Sequence, residues 1–270
     1  MNNLIVDTES SIRLGVFLVV FVVLAGAELL FPRRKLDYPK FQRWLSNLAL
    51  SAVNTGLLRL LFPIAGVGAS LLATEQQWGL LNQFSVPAWL SIVIFLLVFD
   101  LTIYWQHRLF HAVPLLWRFH RIHHMDVDYD LTTGSRFHPV SIFMSAVIKL
   151  ALVVVMGAPV AAILFAEVLL NITSMFNHSN LKLPLALDGV LRRLIVTPDM
   201  HRIHHSTDGV EHSHNYGFNF SCWDRWFGSY LPLAKSPQET MSIGIEGLQD
   251  RRSINLFFIL MQPFRKSNDD

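Results

Sequence analysis

His107 and His111 stand four residues apart, and the string His-Arg-Ile-His-His occurs twice, at 120–124 and 201–205. On a helix, residues three and four apart share a face, so the HxxxH and each HxxHH can turn their imidazoles toward one ion. Neutral imidazole is a good ligand for iron, zinc, copper or nickel, and at cytoplasmic pH little free energy is needed to keep it deprotonated. The three motifs supply His107, His111, His120, His123, His124, His201, His204 and His205, and His178 adds a donor from a separate stretch of chain. Together they exceed what one four- to six-coordinate ion can use, which predicts a dimetal site. His138 is a further candidate ligand, whereas His212 and His214 read as loop residues. All 12 histidines fall between positions 107 and 214.

The elements that must position them belong to a membrane protein. Of the 270 residues, 52% are hydrophobic and 16% are charged, against about 25% charged in soluble domains. This composition excludes disorder, and a net charge of +2 gives no reason to expect a nucleic-acid partner. One cysteine, Cys222, excludes an internal disulfide and a multi-cysteine zinc site.

Residues 14–31 predict a first span. The basic residues Arg33, Arg34, Lys35, Lys40 and Arg43 follow it, which places them in the cytoplasm and argues against a cleaved signal peptide. A second apolar stretch, 45–73, contains Arg59 and Pro63 and predicts a kinked or tilted helix. Residues 74–85 lack Lys and Arg and read as external, so a third span at 86–105 returns the chain to the cytoplasm just before His107. Asp100 in that span reads as facing packed helices. The segment 139–176, charged only at Lys149 and Glu167, carries a turn signal at Gly157-Ala158-Pro159. It predicts a hairpin that enters and leaves on the cytoplasmic side and brings the histidine motifs together. The apolar run at 254–264 is too short to cross and is expected to lie on the cap or interface. The fold expected is an all-α integral membrane bundle of about four spans, with a cytoplasmic helical cap carrying the dimetal site. Residues 1–106 hold three spans, 107–230 the catalytic region with its hairpin, and 231–270 a cytoplasmic tail.

The pattern resembles the fatty acid hydroxylase and sterol desaturase superfamily of membrane di-iron oxygenases, marked by HxxxH, HxxHH and a second HxxHH beyond a hydrophobic hairpin. The resemblance runs from about 107 to 230. It is supported by Asp130-Leu131-Thr132-Thr133-Gly134-Ser135-Arg136, Thr197-Pro198-Asp199-Met200, Asn215-Tyr216-Gly217 and Trp223-Asp224-Arg225-Trp226-Phe227-Gly228-Ser229-Tyr230. Where some fatty acid hydroxylases carry a further histidine four residues before the position of His178, this chain has Ser174. The stretch 128–133 is similar to the alkylglycerol monooxygenase branch.

The resemblance implies two iron ions held by the nine histidines, O2 as co-substrate, and hydroxylation or desaturation of a fatty acyl, sterol or related lipid from the bilayer. An ether-lipid monooxygenase of the alkylglycerol type is the alternative. Electrons would come from an external donor such as a cytochrome b5-like or ferredoxin-type protein, since no GxGxxG fingerprint follows a strand pattern. Asp199, Asn215, Tyr216 and Asp224 are expected to support the imidazoles by hydrogen bonds, with Asp126, Asp128, Asp130 and Asp208 either doing the same or solvated. Two other readings fit less well. A zinc hydrolase of the H-E-x-x-H type would want glutamate where Arg121 and Arg202 stand. A metal transporter or haem protein would want its histidines within the spans rather than after them.

Overall fold

The computed structural model describes residues 2–62 and 65–265. Thirteen α-helices are found among them: α1 (Asn2–Leu30), α2 (Lys40–Leu61), α3 (Ala65–Glu75), α4 (Leu80–Gln83), α5 (Ala88–Ala112), α6 (Pro114–His124), α7 (Pro139–Met156), α8 (Val160–Asn177), α9 (Leu185–Leu191), α10 (Pro198–His204), α11 (Gly209–His212), α12 (Cys222–Trp226) and α13 (Leu256–Met261). The described residues contain no β-strand, only isolated bridges such as Pro32 with Leu181.

Among the described residues, five segments are long and apolar enough to cross a bilayer: Ser10–Leu30, Lys40–Gln83, Ala88–Ala112, Pro139–Met156 and Val160–Asn177. The second is not one kinked helix, because α2 stops at Leu61 and α3 starts at Ala65, with Pro63 itself outside the described residues. The hairpin turns where its glycine predicts. Gly157 caps α7 at φ 66°, and a Cβ there would come within 2.5 Å of the Trp78 carbonyl oxygen, so only glycine fits without strain. Each arm is 18 residues long, enough to reach across a bilayer separately, which is why five segments qualify where the sequence suggests about four spans. The arms pack on other helices more than on each other: α7 against α3 and α2, α8 against α1 and α5. Phe95, Phe99 and Ile103 of α5 fill the space beside Val153 of α7 and Ala162, Ile163 and Ala166 of α8. The outer face of α1, with Leu18, Val19, Val22 and Val23 exposed, offers apolar surface to acyl chains.

Polar residues at the inner end of α2 hold the chain between α6 and α7. Arg43, Asn47, Leu50 and Asn54 form the buried stripe of α2, their spacing placing them on one face. Arg43 donates to both Asp126 oxygens at 3.0 and 2.9 Å and to Asp130 at 2.6 Å. Asn47 donates to Asp126 at 3.1 Å, and Arg136 donates to Asn47 at 3.0 Å. Asp128 accepts from the backbone N–H groups of Asp37 and Tyr38. These three aspartates are therefore neither solvated nor turned toward imidazoles, correcting both sequence expectations for them. The basic stretch after α1 is likewise partly internal: Arg43 is fully buried and Arg33 pairs with Asp199. The segment 254–264 lies on the bundle as expected, with Phe258 and Ile259 packed against Leu50, Ile122 and Met125.

Candidate metal centre

The nine candidate ligands come from four elements whose ends converge. His107 and His111 lie on the last turns of α5; His120, His123 and His124 close α6, which starts with Pro114 at its first position. His178 caps the end of α8. His201 and His204 lie on α10 and His205 caps it, and Thr197 accepts from the Met200 N–H to start that helix, with Pro198 at its first position.

Nine imidazoles gather into two groups whose donor atoms lie within 4.8 Å of one another: His107, His111, His120, His124 and His204 in one, His123, His178, His201 and His205 in the other. Each HxxHH divides between them. The i and i+4 residues of the first motif, His120 and His124, join the first group, and His123 joins the second. In the later motif His201 and His205 join the second group, and His204 crosses to the first. The groups adjoin, with the rings of His107 and His201 centred 6.1 Å apart.

Three ring orientations are fixed by backbone carbonyls. The Nδ1–H of His107 donates to Tyr216, that of His204 to His214 and that of His178 to Ser174, each at 2.8 Å. This selects the tautomer that presents a bare Nε2 inward. Inside the groups Nε2 atoms nearly touch: His204 and His107 at 2.9 Å, His178 and His123 at 3.0 Å, His111 and His124 at 3.1 Å. Metal–imidazole bonds of about 2.1 Å put neighbouring donors about 3.0–3.4 Å apart, so these spacings are those of a shared ion. Both ring nitrogens of His120 and His205, and Nδ1 of His123, His124 and His201, are buried with no hydrogen-bond partner among the described residues. Such orphaned atoms cost about 1–3 kcal/mol each. An ion in each group would take one nitrogen of His120 and one of His205, and the close inward Nε2 atoms together with these orphans fit a metal centre.

Burial and the crowding of other imidazoles push His120, His123, His124, His201, His204 and His205 well below the usual histidine value. Burial takes His178 down to about 3. All are neutral near pH 7, the form that binds metal.

The polar residues expected to support the imidazoles act through the backbone. Asp224 accepts from the N–H groups of Tyr216 and Gly217, both at 2.8 Å, and so holds the peptide whose carbonyl orients His107. Asn215, left-handed at φ 58°, donates to Met200 and Leu231 and ties the end of α10 to the same loop. Asp199 does not reach an imidazole; it pairs with Arg33 and Arg202 on the outer side of α10. His138 joins neither group, because its Nδ1 caps α7 at Val140 and its Nε2 meets the Leu260 carbonyl. Asp100 accepts from Asn219, Phe220 and Trp223, as a residue facing packed structure should. His212 is not a loop residue: it ends α11 close to the centre, its ring 4.6 Å from that of His111 and 4.7 Å from that of His124. Arg43 was not singled out as a buried support, although its spacing from Asn47 and Asn54 on α2 carries that signal.

A cavity of about 260 Å³ touches His107, His120, His123 and His201 and runs back between the membrane helices to Lys149 and Glu167. Helices suited to a bilayer, capped by a buried polyhistidine centre that opens on such a cavity, define a class of membrane protein built for metal-dependent chemistry on apolar molecules. Residues 92–229 match the fatty acid hydroxylase family, and the chain belongs to that family of oxidoreductases. It is 26% identical to an ornithine lipid hydroxylase of Rhizobium tropici over 93% of this chain and 75% of that one. It is 28% identical to an alkylglycerol monooxygenase of Xenopus tropicalis over 69% of this chain and 41% of that one, so it spans less than half of that relative. A Delta(7)-sterol 5(6)-desaturase of Aspergillus fumigatus is 26% identical over 80% of this chain and 62% of that one. No solved structure matches the chain.

Proposed function

We propose that the protein is a membrane-bound non-haem di-iron oxygenase that hydroxylates or desaturates a lipid, using O2 and electrons from an external cytochrome b5-like or ferredoxin-type donor. The observation that carries this reading is the pair of interlocked imidazole groups at the head of a cavity between membrane helices. In it, His107, His111, His120, His124 and His204 would hold one iron ion, and His123, His178, His201 and His205 the other. Bound iron would supply the activation of O2 that no side chain can perform. The chain supplies the rest. Ile103, Phe110, Ile142, Leu170, Met175 and Phe218 line the cavity and take up an acyl or ring portion while excluding water. The carbonyls of Tyr216, His214 and Ser174 keep three imidazoles aimed inward.

The substrate comes from the bilayer, and the centre faces the cytoplasm with the N-terminus outside. Residues 1–106 form the N-terminal transmembrane region, 107–230 the catalytic region including the membrane hairpin at 139–176, and 231–270 the cytoplasmic tail. A second reading, an ether-lipid monooxygenase, is favoured by the alkylglycerol monooxygenases among the relatives. Two measurements test the proposal. Purified protein should carry about two irons per chain without a haem Soret band, and a Soret band refutes the reading. Lipids from cells expressing the protein should gain one oxygen or lose two hydrogens relative to cells lacking it, whereas ether cleavage supports the second reading.

A further inference from the structure

Ionisable side chains inside a membrane are costly to keep and mark binding sites or pathways by default. Lys149 of α7 and Glu167 of α8 are the charged residues of the hairpin, and they meet: Lys149 Nζ donates to Glu167 Oε1 at 2.8 Å. Arg13 of α1 donates to Glu167 Oε2 at 3.2 Å. A trio that merely tied three helices together could sit wholly between them. Here all three side chains line the same cavity that touches His107, His120, His123 and His201.

Lys149 carries three N–H donors, and Glu167 is its one hydrogen-bond acceptor among the described residues. The ammonium can therefore serve an acceptor oxygen in the cavity as well. From Glu167 to His178 is about three turns of α8, roughly 16 Å, and the wall between includes Leu170, Met175 and Phe218. A charged end, a wall in which apolar side chains alternate with uncharged polar ones such as Asn171 and Ser174, and a metal-ligating end match a long amphiphile lying along the cavity.

We propose that Lys149, with Glu167 and Arg13, forms an end-site that holds the terminal oxygen group of a long-chain amphiphile, a carboxylate or a hydroxyl, while its chain extends to the histidines. This rests on the lipid-oxygenase reading and adds how the substrate is held: the polar group is bound remotely, and the distance to the centre selects which carbon is presented.

The test is binding to the full-length iron-loaded protein in nanodiscs, with oleate, oleyl alcohol and 1-octadecene each displacing a fluorescent fatty acid. Oleate and oleyl alcohol should bind about tenfold more tightly than 1-octadecene, a difference of 1.4 kcal/mol. In Lys149→Met that preference should fall to about twofold or less while 1-octadecene binds as before. Glu167→Gln, which leaves Lys149 in place, should keep or raise the preference for oleate. The proposal is overturned if the wild type shows no preference, if Lys149→Met retains it, or if Glu167→Gln abolishes it. Iron content is measured on the same samples. Normal iron without the preference sinks the end-site alone, and the preference without iron sinks the di-iron reading alone.

Discussion

Replacing Asp224 by asparagine tests whether the metal centre is tuned from a carboxylate that never touches it. Asp224 Oδ1 accepts from Tyr216 N–H at 2.8 Å and from the Ser229 hydroxyl at 2.7 Å, and Oδ2 accepts from Gly217 N–H at 2.8 Å. Asparagine keeps one oxygen and puts an NH2 group where the other accepted, so one buried backbone donor faces a second donor. Leaving such a donor unsatisfied costs about 1–3 kcal/mol. Gly217 N–H belongs to the peptide whose carbonyl receives His107 Nδ1–H at 2.8 Å, and Tyr216 N–H to the peptide just before it, so either placement of the NH2 loosens that support. Loss of such outer support typically lowers metal affinity about 10–100-fold, which is about 1.4–2.8 kcal/mol and agrees with the lost bond. The assay is anaerobic titration of metal-free full-length protein with ferrous iron, beside thermal unfolding of the metal-free forms. Asp224→Asn should bind the same number of irons, the tightest about 10–100-fold more weakly. Wild-type affinity in the variant, whatever its melting temperature, would refute the argument. Burial, opposed by these hydrogen bonds, raises the Asp224 carboxyl to about 6, so wild-type affinity should also weaken as pH falls through that value.

Further outcomes follow from the same geometry. His123→Ala and His204→Ala, which strip one donor from different groups, should each abolish turnover while membrane insertion, read by fractionation, persists; full activity in either contradicts the ligand assignment. Arg43→Met would leave Asp126 and Asp130 as buried unpaired carboxylates and should cost about 3–5 kcal/mol, read as a lowered unfolding midpoint. Metal-free protein should lose stability as pH falls below about 6.5, because unfolding lets His120, His123, His124, His178, His201, His204 and His205 take up protons that the folded state refuses. The slope is about 1.4 kcal/mol per pH unit for each histidine so released, and a flat profile between pH 7 and 5 would count against their burial. In Gly134→Ala the new Cβ would lie 2.5 Å from the Ser174 carbonyl oxygen, the acceptor of His178. This variant should lose iron from the second group at a cost of about 1–3 kcal/mol, measured as iron per chain.

Much of the centre was legible in the sequence because its ligands obey helical spacing, and spacing survives translation into three dimensions. The eight motif histidines could be named from residue type and interval and His178 from its place at the exit of the hairpin, and the structure gathers all nine. The turn of the hairpin could be placed because Gly157 must adopt a left-handed backbone. How each HxxHH divides between two groups could not be read, since that depends on the rotation of α6 and α10 against α5 and α8. His138 illustrates a different limit. Its type suits a ligand, but whether an imidazole caps a helix or faces a metal is decided by the neighbouring backbone, here Val140 and Leu260. The aspartates at 126, 128 and 130 were misplaced for a related reason: their partner Arg43 is remote in sequence and disguised as one of a run of topogenic basic residues.

The division of each HxxHH also governs how the centre can be assembled and how it can change over generations. Because α6 and α10 both donate to each group, an ion seated in one group pins the rotation of the two helices that furnish the other. The second ion would then meet donors already in place, so filling of the two groups would be cooperative. Neither metal position is a separable module: drift in one motif damages both, and a descendant with a single working ion would need a new helix arrangement rather than one lost ligand.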